Sequence, residues 1–345
     1  MSEAVREAML YEPVEGETVR CGLCGHRCTI MEGKYGRCMV RRNVNGILRS
    51  ESYGMVVAMN VDPIEKKPLF HFLPGTQSLS IATQGCNFQC AFCQNWQISQ
   101  PSRSLAGRRG RAVSPREVVA AAQAHGCASV SYTYTEPTIF FELAYDTAEI
   151  AKQCGLGNCF VSNGYMTEEA VDKIAPCLDA INVDLKAFRD ETYRDIMKAR
   201  LEPVLRCLRA LVRSGVWVEV TTLIVPDMND SESELADIAG FIADELSPSV
   251  PWHVSRFHGD YKMDGTPSTP VETLEAACRL GREAGLRHVY CGNVPGAADE
   301  STRCPYCGEM IIERMGYVIR RNRLADGQCP KCKERIDGVW SLQGG

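Results

Sequence analysis

GCNFQCAFCQNW, residues 85–96, sets Cys86, Cys90 and Cys93 in a CxxxCxxC spacing just after an apolar, strand-like run at 78–84. Three thiolates this close can wrap a compact metal cluster. A four-iron cluster held by three of them keeps one iron without a protein ligand, and an open iron is where chemistry can occur. A structural zinc site is the plainer alternative, although closed zinc sites use four ligands and this run offers three.

Outward from that loop, apolar runs of strand length alternate with stretches of helical period, the pattern of βα units around a parallel sheet. Seven strands are predicted, at 78–84, 128–134, 157–162, 179–185, 216–225, 252–257 and 287–292. Ser114, Pro115 and Glu117 read as an N-cap, a first-turn proline and a dipole-favoured acid; Thr167 opens a second helix in the same way. Ser231 with Glu234 reads as a capping box. The fold class is α/β, a run of βα units at 77–299 between two small Cys-rich modules at 1–76 and 300–345.

Cysteine is the abnormal number: 18 of 345 residues. The first residues carry Glu3, Arg6 and Glu7 where a secretory leader needs an apolar run, and no long uncharged apolar stretch follows, so the expectation is a cytoplasmic protein with no membrane span. Thiols there stay reduced, and clustered ones read as metal ligands before disulfides. Cys304, Cys307, Cys329 and Cys332 form two CxxC knuckles, a four-thiolate signal for zinc or, second, rubredoxin-like iron. Cys21, Cys24, Cys28 and Cys38 are four more thiols within 18 residues. Zinc is chemically adequate there, and a second iron–sulfur cluster relaying electrons is the sharper option. Cys127, Cys154, Cys159, Cys177, Cys207, Cys278 and Cys291 mostly sit in apolar runs and read as small core residues.

The CxxxCxxC run with Phe92 before its last cysteine resembles the radical S-adenosylmethionine (SAM) superfamily. More narrowly the chain resembles the activating-enzyme-like branch, and most the radical SAM enzyme of the AmmeMemoRadiSam system. The segments carrying that likeness are DPIEKKPLFHFLPGT (62–76), GCNFQCAFCQNWQIS (85–99), YTYTEPTIFFE (132–142), FVSNGYM (160–166), INVDLKAF (181–188), VPDMND (225–230), HVSRFHGDYKM (253–263) and GNVPG (292–296). The resemblance implies a partial (βα)6-type barrel, a [4Fe-4S] cluster on Cys86, Cys90 and Cys93, and SAM bound at the open iron. It also implies reductive cleavage of SAM to a 5′-deoxyadenosyl radical that takes hydrogen from substrate.

Glu136 stands where related enzymes carry a GGE-like motif, so the resemblance implies that it accepts hydrogen bonds from the SAM ammonium; no Gly-Gly precedes it here. The competing reading is a cap on the helix that begins at Pro137. Ser162, Asn163, Asp184 and Lys186 have the chemistry for the remaining SAM contacts: hydroxyl, amide and acid for the ribose, a cation for the carboxylate. Asp184 and Lys186 share a strand face and are equally suited to a structural ion pair. No catalytic residue is certain; His258 at a strand end and Cys291 at the end of the last strand are the candidates. For His71 a packed role is favoured.

The expected partners are a small organic substrate, an electron donor such as flavodoxin or ferredoxin, and the Memo-like and AMMECR-type proteins of that system. Installation of a glycyl radical on a partner protein is the alternative function. A metal-stabilised nucleic-acid-binding protein is a third, against which the net charge of −5 counts.

Overall fold

The computed structural model describes residues 6–100, 109–292 and 300–342. All seven predicted strands form. Gln77–Thr83, Ser129–Tyr132, Gly157–Ser162, Ala180–Asp184, Trp217–Ile224, Trp252–Arg256 and Val289–Gly292 pair in sequence order, every neighbour parallel. The sheet does not close on itself among the described residues, so the molecule is a partial barrel, six βα units extended by a seventh parallel strand. Most of GNVPG lies outside the described residues.

One strand of this sheet lies within the stretch assigned to the N-terminal module. Met55–Pro63 pairs antiparallel with Gln77–Thr83 and carries the short strand Arg111–Ala112 on its far edge. Its residues are mostly half-buried or exposed, and its apolar start, MVVAM, gives way to Asn60 and Asp62.

The helices follow their signals. Ser114 and Glu117 form the full capping box on Pro115–Ala124, and Thr167 caps Glu168–Ile174. Ser231 accepts from Glu234 N, but the Glu234 carboxylate turns away to accept from Phe188 N at 2.6 Å, so only half of that box forms. Leu201–Arg213 shows the packing logic: Val204, Leu205, Cys207, Leu208, Ala210 and Leu211 are buried at helical spacing. Each large apolar side chain so buried contributes about 1.5–3 kcal/mol.

Both outer modules are joined to the barrel. Arg41 (1 % exposed) forms a buried ion pair with Glu142 in the helix Phe141–Gln153. At the other end Thr302–Arg303, Met310–Met315 and Val318–Asn322 make an antiparallel ribbon. Phe72 bridges to Val339, and Arg314 donates to the Phe70 carbonyl at 2.8 Å. Among the described residues no helix is long and apolar enough to cross a membrane. Of the seven unclustered cysteines five are buried and Cys291 is half-buried; Cys154 departs from the core expectation because it caps a helix C-terminus, exposed.

Candidate active site

The loop after Gln77–Thr83 carries the cysteine triad, held by backbone bonds from outside itself: Gln89 N donates to Met197 O at 2.9 Å and Lys262 N to Ala91 O at 3.1 Å. Gly85 precedes it at φ +108°, where a Cβ would meet Val40 Cγ1 at 3.0 Å and the Cys38 carbonyl at 3.1 Å, so only glycine fits.

Cys86, Cys90 and Cys93 line a cleft enclosing about 1530 Å³ of atom-free space, part of it open to solvent. Glu136, Ser162, Asn163, Asp184 and Lys186 line the same cleft. All come from the C-terminal ends of parallel strands or the loops just after them, the rim where barrels of this kind gather their reactive groups. The three sulfurs do not lie mutually within 4.8 Å, since among the described residues only the C-terminal cysteines meet that limit. Four thiolates around a single zinc sit about 3.8 Å apart. Three thiolates with no fourth cysteine in the cleft fit a cluster with an open iron.

Glu136 is 2 % exposed and well supplied with donors. Oε1 accepts from Thr138 N at 3.0 Å, Thr138 Oγ1 at 2.5 Å and Ser162 Oγ at 2.8 Å; Oε2 accepts only from Asn163 N, at 2.8 Å. It therefore does cap the short helix Pro137–Phe140. Oε2 still keeps acceptor capacity in a cleft-lining residue. Burial raises its pKa, with the donors from Asn163, Thr138 and Ser162 pulling the other way.

Lys186 Nζ meets Asp184 Oδ2 at 2.8 Å. Burial works against the ammonium, but Asp184 and the neighbouring Cys90 more than offset it and raise the Lys186 pKa. Burial pushes the Cys90 thiol up to about 12 while Lys186 pulls it down. Binding of metal must therefore displace protons from the triad. Asn163 also supports the loop, its Nδ2 donating to Asn87 Oδ1 at 2.8 Å and lying 3.8 Å from Cys86 Sγ.

His258 and Cys291 are not among the residues of this cleft. His258 is exposed and bonds Ser268 Oγ at 3.1 Å. Cys291 shares a hydrogen bond with Cys278. His71 is fully buried between Asp337 O (2.7 Å) and Tyr290 OH (2.6 Å), a packed histidine.

Several cleft residues had no separate signal. Lys66 and Lys67 both pair with Asp62, at 2.8 and 2.7 Å, and Tyr134 donates to the same carboxylate. Their segment, DPIEKK, carries no metal-ligand or catalytic spacing of its own. Tyr317, in the turn between two ribbon strands, also lines the cleft. Nothing local marks a turn tyrosine for that place. At the C-terminal group, Cys304 Sγ lies 3.5 Å from Cys332 Sγ and Cys307 Sγ 3.7 Å from Cys329 Sγ, a spacing that suits one tetrahedral ion.

Comparison with known proteins fits this geometry. The profile of the Radical SAM superfamily matches residues 80–241. An uncharacterized Methanocaldococcus jannaschii protein, MJ0808, is 46% identical over 338 residues, covering 97% of this chain and 100% of its own. The benzylsuccinate synthase activating enzyme of Thauera aromatica is 23% identical over 155 residues, 41% of this chain and 45% of that one. The crystal structure of a radical SAM methyltransferase from Sphaerobacter thermophilus superposes with a TM-score of 0.50 at 16% identity, covering 65% of this chain and 68% of that one, a likeness of fold.

Proposed function

Since the chain belongs to the radical SAM superfamily, we propose that its cleft cleaves SAM reductively and directs the resulting radical at a small organic substrate, in an AmmeMemoRadiSam-type system. The observation that carries this reading is the single cleft shared by Cys86, Cys90, Cys93, Glu136, Ser162, Asn163, Asp184 and Lys186. When bound, the [4Fe-4S] cluster supplies one electron to the SAM sulfonium, yielding methionine and a hydrogen-abstracting 5′-deoxyadenosyl radical. Cys86, Cys90 and Cys93 would hold that cluster.

The chain's own side chains bind and orient. Glu136 Oε2 offers an acceptor to an ammonium, while Ser162 and Asn163 fix the carboxylate's rotamer. Lys186 offers a cation to a carboxylate, restrained by Asp184. Tyr317 of the ribbon turn and Lys66 also line the cleft, and both are partly exposed. Reduction calls for a low-potential carrier of the flavodoxin or ferredoxin class, and the Memo-like and AMMECR-type proteins are the proposed companions.

Glycyl-radical installation is a second reading, favoured by the 155-residue similarity to the benzylsuccinate synthase activating enzyme. Anaerobic incubation with dithionite, SAM and deuterated candidates separates the two. Deuterium reaching 5′-deoxyadenosine from a small molecule supports the first reading, and from a protein glycine the second. No 5′-deoxyadenosine at all overturns both.

A further inference from the structure

The N-terminal cysteines Cys21, Cys24, Cys28 and Cys38 line one partly enclosed cavity. They come from four places in a segment with almost no helix: the strand Val19–Cys21, the turn after it, the approach to Thr29–Ile30, and the loop before Arg41–Val44. That so irregular a segment converges four thiols on one void is itself a sign of a bound group, because a small module without its own large core needs one to hold its shape.

Spacing distinguishes the candidate groups. Four sulfurs around one zinc ion stand about 3.8 Å apart, and the C-terminal group, at 3.5 and 3.7 Å, meets that requirement. No three of the N-terminal sulfurs lie mutually within 4.8 Å, a limit that among the described residues only the C-terminal group satisfies. The four iron atoms of a cubane lie between its cysteine sulfurs and hold them about 6 Å apart. The triad Cys86, Cys90 and Cys93 fails the 4.8 Å limit as well, so the chain contains an internal comparison for each geometry.

The cavity's remaining lining calls for an acceptor. Arg41 and Asn87 line it, are 1 % and 3 % exposed, and leave Nε and Nδ2 respectively without a hydrogen-bond partner. Two buried orphan donors are costly unless something in the void accepts from them. Sulfides and thiolates of a cluster do so, and a positive guanidinium offsets the cluster's negative charge. Arg41 Nη1 already lies 3.7 Å from Cys21 Sγ.

We propose that Cys21, Cys24, Cys28 and Cys38 bind a second four-iron cluster, placed to pass electrons to the one on Cys86, Cys90 and Cys93. Asn87 is the next residue after Cys86 and lines the N-terminal cavity, and His26 Nε2 bonds its carbonyl at 2.8 Å. Cys38's carbonyl packs against Gly85. One electron from an external one-electron carrier reduces the N-terminal cluster and then leaves it for the central cluster, so the relay returns to its oxidised state each cycle. Only the electron's destination rests on the function proposed above; the metal content does not.

The test is made on the full chain, reconstituted anaerobically with iron and sulfide and supplied with zinc. A C86A/C90A/C93A variant should keep about four iron and four sulfide per chain and an absorption near 400 nm, with about one zinc. Adding C24S and C28S should remove that iron, with circular dichroism verifying that the barrel persists. If the triple variant holds no iron and two zinc ions, the site is a zinc site and the proposal fails. Electron paramagnetic resonance of the dithionite-reduced wild type should show two clusters broadening each other, and the triple variant one unbroadened signal. Two independent signals in the wild type would overturn the relay. Because the triple variant cannot cleave SAM, its iron content speaks to the second cluster alone.

Discussion

Ser162, the last residue of its strand, donates its hydroxyl proton to Glu136 Oε1 across 2.8 Å, joining the ends of two neighbouring parallel strands at the rim of the cleft. The carboxylate is thus both a cap and a member of the site. Glu136→Ala should therefore show two effects. Unpairing the buried Asn163 and Thr138 N–H groups costs about 1–3 kcal/mol of stability, read as a lower melting temperature. Loss of a charge-assisted bond worth roughly 1.5–3 kcal/mol should weaken SAM binding about 10- to 150-fold by calorimetry. Unchanged affinity with lowered stability would leave Glu136 as a cap alone.

Cys86→Ala, Cys90→Ala and Cys93→Ala should each abolish 5′-deoxyadenosine formation, because none of the three thiolates has a substitute in the cleft. Product analysis by mass spectrometry decides this, and cleavage surviving in any one of them would sink the assignment.

The ribbon's metal should be a single zinc ion. Cys304→Ser with Cys307→Ser should remove about one zinc per chain and unfold the ribbon, since so small a unit folds on its metal. Dithionite-driven SAM cleavage should persist, because the triad and Glu136 lie on the barrel. Tyr317 nevertheless lines the cleft, so the same variant should couple SAM cleavage to substrate less tightly, giving more 5′-deoxyadenosine per product. Loss of all cleavage with an intact central cluster would make the ribbon part of the chemistry.

His71 connects stability to pH. The Asp337 carbonyl can only accept, which makes Nδ1 the protonated nitrogen and leaves Nε2 to accept from Tyr290. Burial, with His288 adding to it, lowers the His71 pKa to about 3. Unfolded, it titrates near 6.5. Between those values the unfolded chain binds the extra proton, so this contribution is whole above about pH 6.5 and shrinks as pH falls, by about 1.4 kcal/mol per unit. Melting temperature should drop on acidification from pH 7 to 5, and His71→Gln should flatten that slope. An equal slope in the variant would assign the effect elsewhere.

The seven parallel strands were legible because short, mostly apolar and β-branched runs bounded by turn residues alternate with stretches of helical period. The cleft's cysteines and strand-end polar groups were legible for a related reason: in a barrel their position along a strand decides their rim. Met55–Pro63 was not, although it opens on the apolar run MVVAM, because it lies outside that alternation and pairs antiparallel with Gln77–Thr83. Tyr317 and the Lys66–Asp62–Lys67 cluster escaped because their place in the cleft comes from packing between elements far apart in sequence. For His258 and Cys291, proximity to a strand end was a sound cue for the rim but carries no information on which way the side chain turns. His258 turned to Ser268 and Cys291 to Cys278.

The contact between His71 and Asp337 spans 266 residues. During synthesis, a chain whose barrel strands have all left the ribosome still lacks the carbonyl that selects this imidazole's tautomer, and the ribbon turn that carries Tyr317. The last lining residue of the cleft to be synthesised is therefore Tyr317, more than fifty residues after Ser255, the one before it in sequence.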